Sequence, residues 1–261
     1  LQKSLSMSLK DLTREKAREQ GCCVVIPTYN NAHVLQQVID DALQYVYDVI
    51  VVNDGATDNS SQILASNNNI TVVSYYPNHG KGYALKQGFK KAASMGFKYA
   101  ITMDSDGQHS GNDIQSFLDR ISQAPGSLIV GSRLLQQENM PSKNTFANKF
   151  SNFWFRLHTG INLPDTQSGY RLYPLKTMAK MHVFTNRYEA ELEMIVRAAW
   201  RGINVCNVPI SVYYPPKEER VTHFRPFHDF SRISILNTVF TFMAIFARPK
   251  MMVVKLFKRS N

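Results

Sequence analysis

Five short apolar runs, separated by segments of helical period, constrain this 261-residue chain more than any other feature. Cys22–Ile26, Asp48–Val52, Ile70–Tyr75, Ala100–Met103 and Ser127–Gly131 are rich in Val and Ile and bounded by turn residues, which predicts buried strands. His33–Tyr47 carries Val34, Leu35, Val38, Ile39 and Leu43 at helical spacing. A second helix opens at Asn78-His79-Gly80-Lys81-Gly82 and runs to about Met95, and a third covers Asn112–Gln123. Parallel strands need a crossover, so strand alternating with helix predicts an α/β fold: a mostly parallel, Rossmann-like sheet with helices on both faces. Pro27 is expected to stop the first strand, and residues 11–20 to form a short charged lead-in helix.

Three of these strands end in polar or acidic residues: Tyr29 and Asn30, Asp54, and the pair Asp104 and Asp106. Open α/β sheets bind ligands outside the carboxyl ends of their strands, so all three groups fall on the edge where a ligand sits. Asp104 and Asp106 lie one residue apart in Ala100–His109 and can both point beyond the sheet. Two hard oxygen ligands there suit Mg²⁺ or Mn²⁺, with a ligand phosphate supplying further oxygens. Gln108 and His109 follow within reach. The alternative for these residues is a solvated turn before the next helix. Gly80-Lys81-Gly82 could offer backbone N–H groups and a cation to a phosphate at a helix N-terminus, or be an ordinary glycine turn. It is neither G-x-G-x-x-G nor a Walker A sequence, so dinucleotide and P-loop chemistry are poorly supported.

The formal charge of +10 points to an anionic partner: a nucleotide diphosphate, an anionic lipid surface or nucleic acid. Nucleic acid is disfavoured, because the basic residues form no aromatic-interleaved patch and the carboxylates at the strand ends, Asp54, Asp104 and Asp106, would repel a phosphate backbone unless metal is bound. Cys22, Cys23 and Cys206 show no metal-ligand spacing and cannot all pair. They are expected to be buried thiols, which suits a reducing compartment. Leu1–Gln20 is polar and charged, and no signal peptide is expected in it.

VVIPTYNN, VIVVNDGATDNS, NHGKGYALKQGF and MDSDGQH, in this order and spacing, resemble family 2 glycosyltransferases of the GT-A fold, over about residues 20–215. Gly131-Ser132-Arg133, Asp165–Arg171 and the closing helices resemble one branch, the dolichyl- and polyprenyl-phosphate sugar synthases. The resemblance implies inverting, metal-dependent transfer of a hexose from a nucleotide-sugar, of the UDP-glucose or GDP-mannose type, to a polyprenyl or dolichyl phosphate. It implies donor contacts from Pro27, Tyr29, Asn30, Asp54, Lys81, Gly82, Asp104 and Ser105, and a Mg²⁺ or Mn²⁺ held by Asp104, Asp106 and Gln108. A phosphate acceptor is already ionised and needs cations rather than a base. Arg133, Ser168, Arg171, Arg220 and His223 are the expected acceptor-phosphate contacts, with Asp106, Arg133, Arg171 and Glu191 expected at the reacting centre. Glu189 and Glu191 match a position where relatives with soluble acceptors carry a base. The alternative is therefore transfer to a hydroxyl of a surface glycan or glycolipid. Asn31 departs from the family, in which Glu commonly follows Tyr-Asn.

Ile233–Ala247 is largely apolar, with Ser234, Asn237, Thr238 and Thr241 returning every three or four residues as one weakly polar stripe. It falls short of the roughly 20 residues that span a bilayer. Arg248-Pro249 is expected to break it, and Met251–Phe257 follows among Lys250, Lys255, Lys258 and Arg259. Apolar helix beside a cationic cluster suits the face of an anionic leaflet, against the alternative of a helix packed on the catalytic domain with a basic tail. The expected organisation is a lead-in helix at 1–20, a GT-A domain at 21–227 and membrane-associating helices at 228–261. The expected location is peripheral, at the cytoplasmic face of the membrane.

Overall fold

Successive residues of β1 (Cys22–Thr28) point to opposite faces of a sheet, and both faces are apolar. The computed structural model describes residues 7–133, 142–214 and 226–259. Cys22, Val24 and Ile26 pack with α2 (Ala32–Leu43) and α5 (Ile114–Gln123). Cys23 and Val25 pack with α4 (Lys81–Ser94) and α8 (Glu189–Trp200). All seven residues of β1 are buried, as a strand sandwiched between helix layers requires.

The remaining strands are β2 (Val49–Asp54), β3 (Thr71–Tyr75), β4 (Tyr99–Thr102), β5 (Leu128–Arg133), β6 (Arg171–Pro174) and β7 (Val205–Ile210). They join β1 in a seven-stranded sheet of order β3-β2-β1-β4-β6-β5-β7. The pairs β1–β2, β2–β3, β1–β4 and β5–β7 are parallel, as the alternation predicts. β6 is inserted antiparallel between β4 and β5, with Leu172 opposite both Ile101 and Ile129. This reversal brings the segment before β6 to the end of β4.

β1 runs through Pro27, which corrects the expected stop. Val24 N donates to Asp48 O on the β2 side, so alternation turns the position of Pro27 N toward β4. The β4 pairing has already ended at Val25 and Thr102, and no ladder bond is lost there. Cys22 and Cys23 are buried free thiols, with Cys22 pushed up to about 12 by burial, whereas Cys206 is half-buried.

Helices α1 (Leu9–Gln20), α3 (Ser60–Ala65), α6 (Ser142–Thr159), α7 (Leu175–Met178) and α9 (Pro226–Arg259) complete the described chain. α6, α8 and α9 pack together on one face and run in the same direction. At the C-terminal ends of α6 and α8 Trp200 Nε1 donates to His158 O at 3.0 Å, and His158 Nε2 lies 3.2 Å from Thr241 Oγ1, midway along α9. Toward the N-terminal ends of α8 and α9 Arg232 Nη1 sits 4.0 Å from Glu189 Oε1.

α9 is one helix of 34 residues and passes through Arg248-Pro249, which corrects the expected break there. Proline removes one i→i−4 bond and crowds one carbonyl, and the helix continues on both sides. Leu236 and Phe240 of α9 belong to the core shared with α8 and β1. Asn237 and Thr241 of the polar stripe turn inward, leaving Ile235, Phe242 and Ile245 on the outer face at 66%, 67% and 65% exposure.

Candidate active site

The loops that leave β1, β2 and β4 are tied to one another by side-chain amides and carboxylates. After β1, Asn30 adopts φ of 54°, a left-handed geometry that Asn tolerates better than most residues, and its Oδ1 accepts from Thr57 N at 2.8 Å. Asn31 Nδ2 donates to Ser105 Oγ at 2.8 Å, linking this turn to the Asp104–Asp106 loop. The amide donates in this pair, where a glutamate could only accept from the Ser105 hydroxyl. Asn31 Oδ1 is buried without a partner. Pro27 is buried inside β1, and Tyr29 is half-buried at its exit.

Asp54 closes β2 and is 3% exposed. Its carboxylate accepts from Asn78 Nδ2 at 2.8 Å, His79 N at 2.9 Å and Gly80 N at 2.8 Å. It therefore fixes the entry to α4 as well as standing at the ligand edge. Of the two readings open for Gly80-Lys81-Gly82, close packing of the turn against protein is what the structure displays: Tyr83 N, just after it, donates to Asn186 O at 2.9 Å. A Cβ on Gly80 would lie 2.8 Å from Asn186 O, and one on Gly82 would overlap the Ala190 Cβ. The two glycines are needed so that the start of α8 and the loop before it can lie on α4.

Lys81 is the centre of the ion-pair geometry. Its Nζ lies 2.6 Å from Asp104 Oδ1 and 2.9 Å from Glu191 Oε2. Burial opposes the ammonium charge, but Asp104 and Glu191 outweigh it and raise the Lys81 pKa. Burial likewise opposes the Asp104 charge, and Lys81 with His109 outweighs it, so Asp104 is held well below the usual carboxylate range. His109 Nε2 is 3.6 Å from Asp104 Oδ2, and its ring rests 4.8 Å from that of Tyr170.

Asp106 has the opposite fate. Its Oδ1 accepts from Gln108 N at 3.1 Å, and burial together with the charge of Asp104 pushes its pKa up. A buried carboxylate raised in this way gains most from a cation brought against it. Among the described residues no group of three or more His, Cys, Asp or Glu side chains is arranged to hold a metal. Mg²⁺ in phosphate chemistry typically takes one or two protein carboxylates, with phosphate oxygens and water completing its shell. Asp106 fits that role, whereas Lys81 occupies Asp104.

Two residues reach the site from the segment before β6. Thr102 Oγ1 donates to Gly169 O at 2.6 Å, and a Cβ on Gly169 would stand 2.5 Å from Asp104 Oδ2 and 2.6 Å from Lys81 Nζ. Glycine is required there because its backbone roofs the ion pair. Asp165 is fully buried and accepts a fork from Arg133, Nε at 2.6 Å and Nη2 at 3.0 Å, together with Gln167 N at 2.9 Å and Ser168 N at 3.3 Å. Asp165 opens the Asp165–Arg171 motif but takes no role from sequence, because its partner Arg133 lies more than thirty residues earlier and no local spacing pairs them.

Arg171 corrects the expectation of an open phosphate contact. It is 1% exposed and donates to three carbonyls: Ser168 O at 2.6 Å, Glu191 O at 2.7 Å and Thr166 O at 2.9 Å. It holds the roof segment to the start of α8. Ser168 is also buried, and its Oγ accepts from Tyr170 N at 3.3 Å. Glu191 Oε1 and Glu189 Oε2 are buried without a hydrogen-bond partner. Arg220 and His223 lie outside the described residues.

The glycosyl transferase family 2 model matches residues 23–178, which contain the ends of β1, β2 and β4 that border the site. The chain is 29% identical over 214 residues to UDP-N-acetylglucosamine–dolichyl-phosphate N-acetylglucosaminyltransferase of Methanococcus voltae, covering 73% of this chain and 85% of that protein. It is 28% identical over 206 residues to polyprenol monophosphomannose synthase of Mycolicibacterium smegmatis, covering 74% and 77%. Glucosyl-3-phosphoglycerate synthase of Mycobacterium tuberculosis, crystallised with Mn²⁺, UDP and glucosyl-3-phosphoglycerate, shares the fold at a TM-score of 0.65. Its identity is 17%, with 94% of this chain and 86% of that one covered. The sheet, the site at its edge and the matched segment agree: this chain belongs to glycosyl transferase family 2 and is a glycosyltransferase of the GT-A fold.

Proposed function

We propose that this enzyme transfers a hexose, with inversion, from a nucleotide-sugar to a polyprenyl or dolichyl phosphate presented at a membrane surface. The observation that carries the reading is the Lys81–Glu191 ion pair at 2.9 Å. Glu191 matches the sequence position at which relatives with soluble acceptors carry a base, and here an ammonium is already on it. A phosphate acceptor needs no base, because it arrives ionised. The relatives named for dolichyl-phosphate and polyprenol-phosphate sugar transfer support the same acceptor class.

Asp106 would hold a Mg²⁺ or Mn²⁺, with Gln108 beside it and the neighbouring Asp104 held by Lys81. When bound, that cation supplies Lewis-acid charge to the diphosphate of the departing nucleotide. Asp54 and the Asn30–Asn31 turn border the space for the nucleoside, and Lys81 keeps Asp104 and Glu191 fixed around the reacting centre. Arg133, at the end of β5 and oriented by Asp165, is the cation placed to orient the acceptor phosphate. Arg171 holds the carbonyls of Thr166, Ser168 and Glu191, and so ties the segment before β6 to the start of α8.

The bilayer reading rests on α9. No helix among the described residues is long and apolar enough to cross a membrane. The outward Ile235, Phe242 and Ile245 form an apolar face, and Phe153 of α6, at 60% exposure, adds to the apolar surface of this helix layer. Lys250, Lys255, Lys258 and Arg259 follow in sequence. Apolar face and basic run together suit a peripheral helix on the anionic, cytoplasmic leaflet.

The test is a donor panel, UDP-glucose, UDP-N-acetylglucosamine and GDP-mannose, incubated with polyprenyl phosphate in membrane extract, followed by mass measurement of the lipid product. A hexosyl phosphoryl lipid is expected, and it should be absent with EDTA, Asp106→Ala or Asp106→Asn. A sugar found only on hydroxyl groups of glycan or glycolipid would overturn the acceptor assignment, and full activity in EDTA would remove the metal.

A further inference from the structure

We propose that Lys81 is a positioning residue that acts as the resident counter-cation of Asp104 and competes with a divalent cation for that carboxylate. The inference rests on the reading that the Asp104–Asp106 loop receives a cation and a diphosphate. The Lys81 ammonium is 2.6 Å from Asp104 Oδ1, and the second oxygen, Oδ2, faces His109 Nε2 at 3.6 Å. One oxygen of Asp104 is thus held by the ammonium before any ligand arrives, and the other faces the His109 ring. Glu191 Oε2, 2.9 Å from the same ammonium, anchors Lys81 from the opposite side.

The surroundings allow the ammonium little freedom to move away. The backbone of Gly169 lies so close that a Cβ there would be 2.6 Å from Lys81 Nζ. The next residue, Gly82, is pressed on Ala190 at the start of α8. The Lys81 side chain is 17% exposed, against 24% for Asp104 and 9% for Glu191, so solvent screens the triad only in part.

A divalent ion drawn to Asp106 therefore meets a fixed positive charge on the neighbouring carboxylate. Repulsion between the two cations weakens binding of the free ion. A diphosphate reverses the balance, because it brings oxygen ligands for the metal and negative charge that offsets Lys81. On this basis the free ion binds poorly, and the ion with its nucleotide binds well. The role of Lys81 is to hold Asp104 in place while leaving the metal dependent on the donor.

The experiment titrates full-length protein with Mn²⁺, reading free Mn²⁺ by electron paramagnetic resonance, first without nucleotide and then with UDP or GDP. Wild type should bind Mn²⁺ alone at least about tenfold more weakly than in the presence of the matching nucleotide. Lys81→Met should bind Mn²⁺ alone about tenfold or more tightly than wild type, since one unit charge beside the ion is gone. Lys81→Gln, which keeps an N–H donor for the two carboxylates, should do the same and serves if the methionine variant does not fold. Lys81→Arg, retaining the charge, should match wild type. Unchanged Mn²⁺ affinity in Lys81→Gln with a wild-type circular dichroism spectrum would overturn the proposal, as would no measurable Mn²⁺ binding in any variant. If neither nucleotide strengthens Mn²⁺ binding in wild type while Lys81→Met and Lys81→Gln still tighten it, the donor reading fails and the competition at Asp104 stands.

Discussion

Arg133 and Asp165 are joined by a fork of two parallel hydrogen bonds, Nε to Oδ2 at 2.6 Å and Nη2 to Oδ1 at 3.0 Å, with the carboxylate fully buried. The fork fixes the guanidinium at the end of β5 and, through the Gln167 and Ser168 amides, shapes the segment that roofs the site. Geometry of this kind is costly to half-remove, since a single partner leaves a buried charge uncompensated.

Asp165→Ala is therefore expected to lower stability by about 3–5 kcal/mol at neutral pH, read from urea unfolding. The pH dependence follows from the pKa of Asp165. Burial alone would raise it, but the hydrogen bonds and charge of Arg133 prevail and hold it below its ordinary value. The folded state thus binds the Asp165 proton less readily than the unfolded chain. This contribution is present above about pH 4, the unfolded carboxylate value, and is lost as pH falls through the folded one. Asp165→Asn should be less stable at pH 7 and should lose less stability than wild type between pH 4 and pH 2. Equal acid slopes in the two proteins would mean that the fork contributes nothing to stability.

Gly82→Ala should destabilise the fold by about 1–3 kcal/mol, because its new Cβ overlaps that of Ala190. Ala190→Gly in the same chain should restore part of the loss, though not all of it, since Arg187 O also stands 2.9 Å from the added atom. Urea midpoints of the two single variants and the double variant decide this. Additive losses would show that the two residues do not press on each other.

Much of this arrangement was legible in the sequence, and the reasons for the rest are physical. β1, β2 and β4 announce themselves because strands buried on both faces must be apolar at every position. β6 does not, since it has four residues and begins with a buried Arg. β7 reads Val-Cys-Asn-Val-Pro-Ile, and its Asn and Pro are tolerable at the sheet edge but mask the strand pattern. Asp104 and Asp106 were visible as a pair, yet their unequal environments depend on Lys81, more than twenty residues earlier, and on Gly169, more than sixty later. Gly80 and Gly82 resembled a phosphate turn because close approach to a phosphate and close approach to a helix need the same missing side chain. Arg171 read as an open cation because nothing local reveals that three carbonyls converge on it.

Glu191→Gln should separate the acceptor classes. Loss of a general base typically costs about a hundredfold or more in turnover. With Lys81 already paired to Glu191 Oε2, and a phosphate as acceptor, the glutamine variant should lose well under that amount. Arg133→Ala, by contrast, should reduce transfer to lipid more than it reduces hydrolysis of the donor. Single-turnover transfer and donor hydrolysis, measured side by side, give the comparison. Near-total loss of transfer in Glu191→Gln with intact donor binding would point to a hydroxyl acceptor instead.

The outer face of α9 gives the last prediction. Ile235, Phe242 and Ile245 face away from the protein, while Leu236 and Phe240 of the same helix are buried against the core. Replacing the three outward residues with Gln should leave folding and nucleotide binding intact, because none of them packs inside. It should weaken flotation with vesicles of anionic lipid, since burying each such side chain contributes about 1.5–3 kcal/mol. Neutralising Lys250, Lys255, Lys258 and Arg259 should weaken it independently, at on the order of 1 kcal/mol per charge. Salt separates the two contributions: surface charge is screened over about 10 Å at 0.1 M, whereas apolar insertion is not. Raising salt should therefore bring the wild type down toward the charge-neutralised variant and leave the Gln variant's deficit unchanged. Flotation of all three proteins at low and high salt, with donor affinity by calorimetry as the control, measures this. If the Gln variant floats as well as wild type at both salt concentrations, the apolar face of α9 does not meet the bilayer.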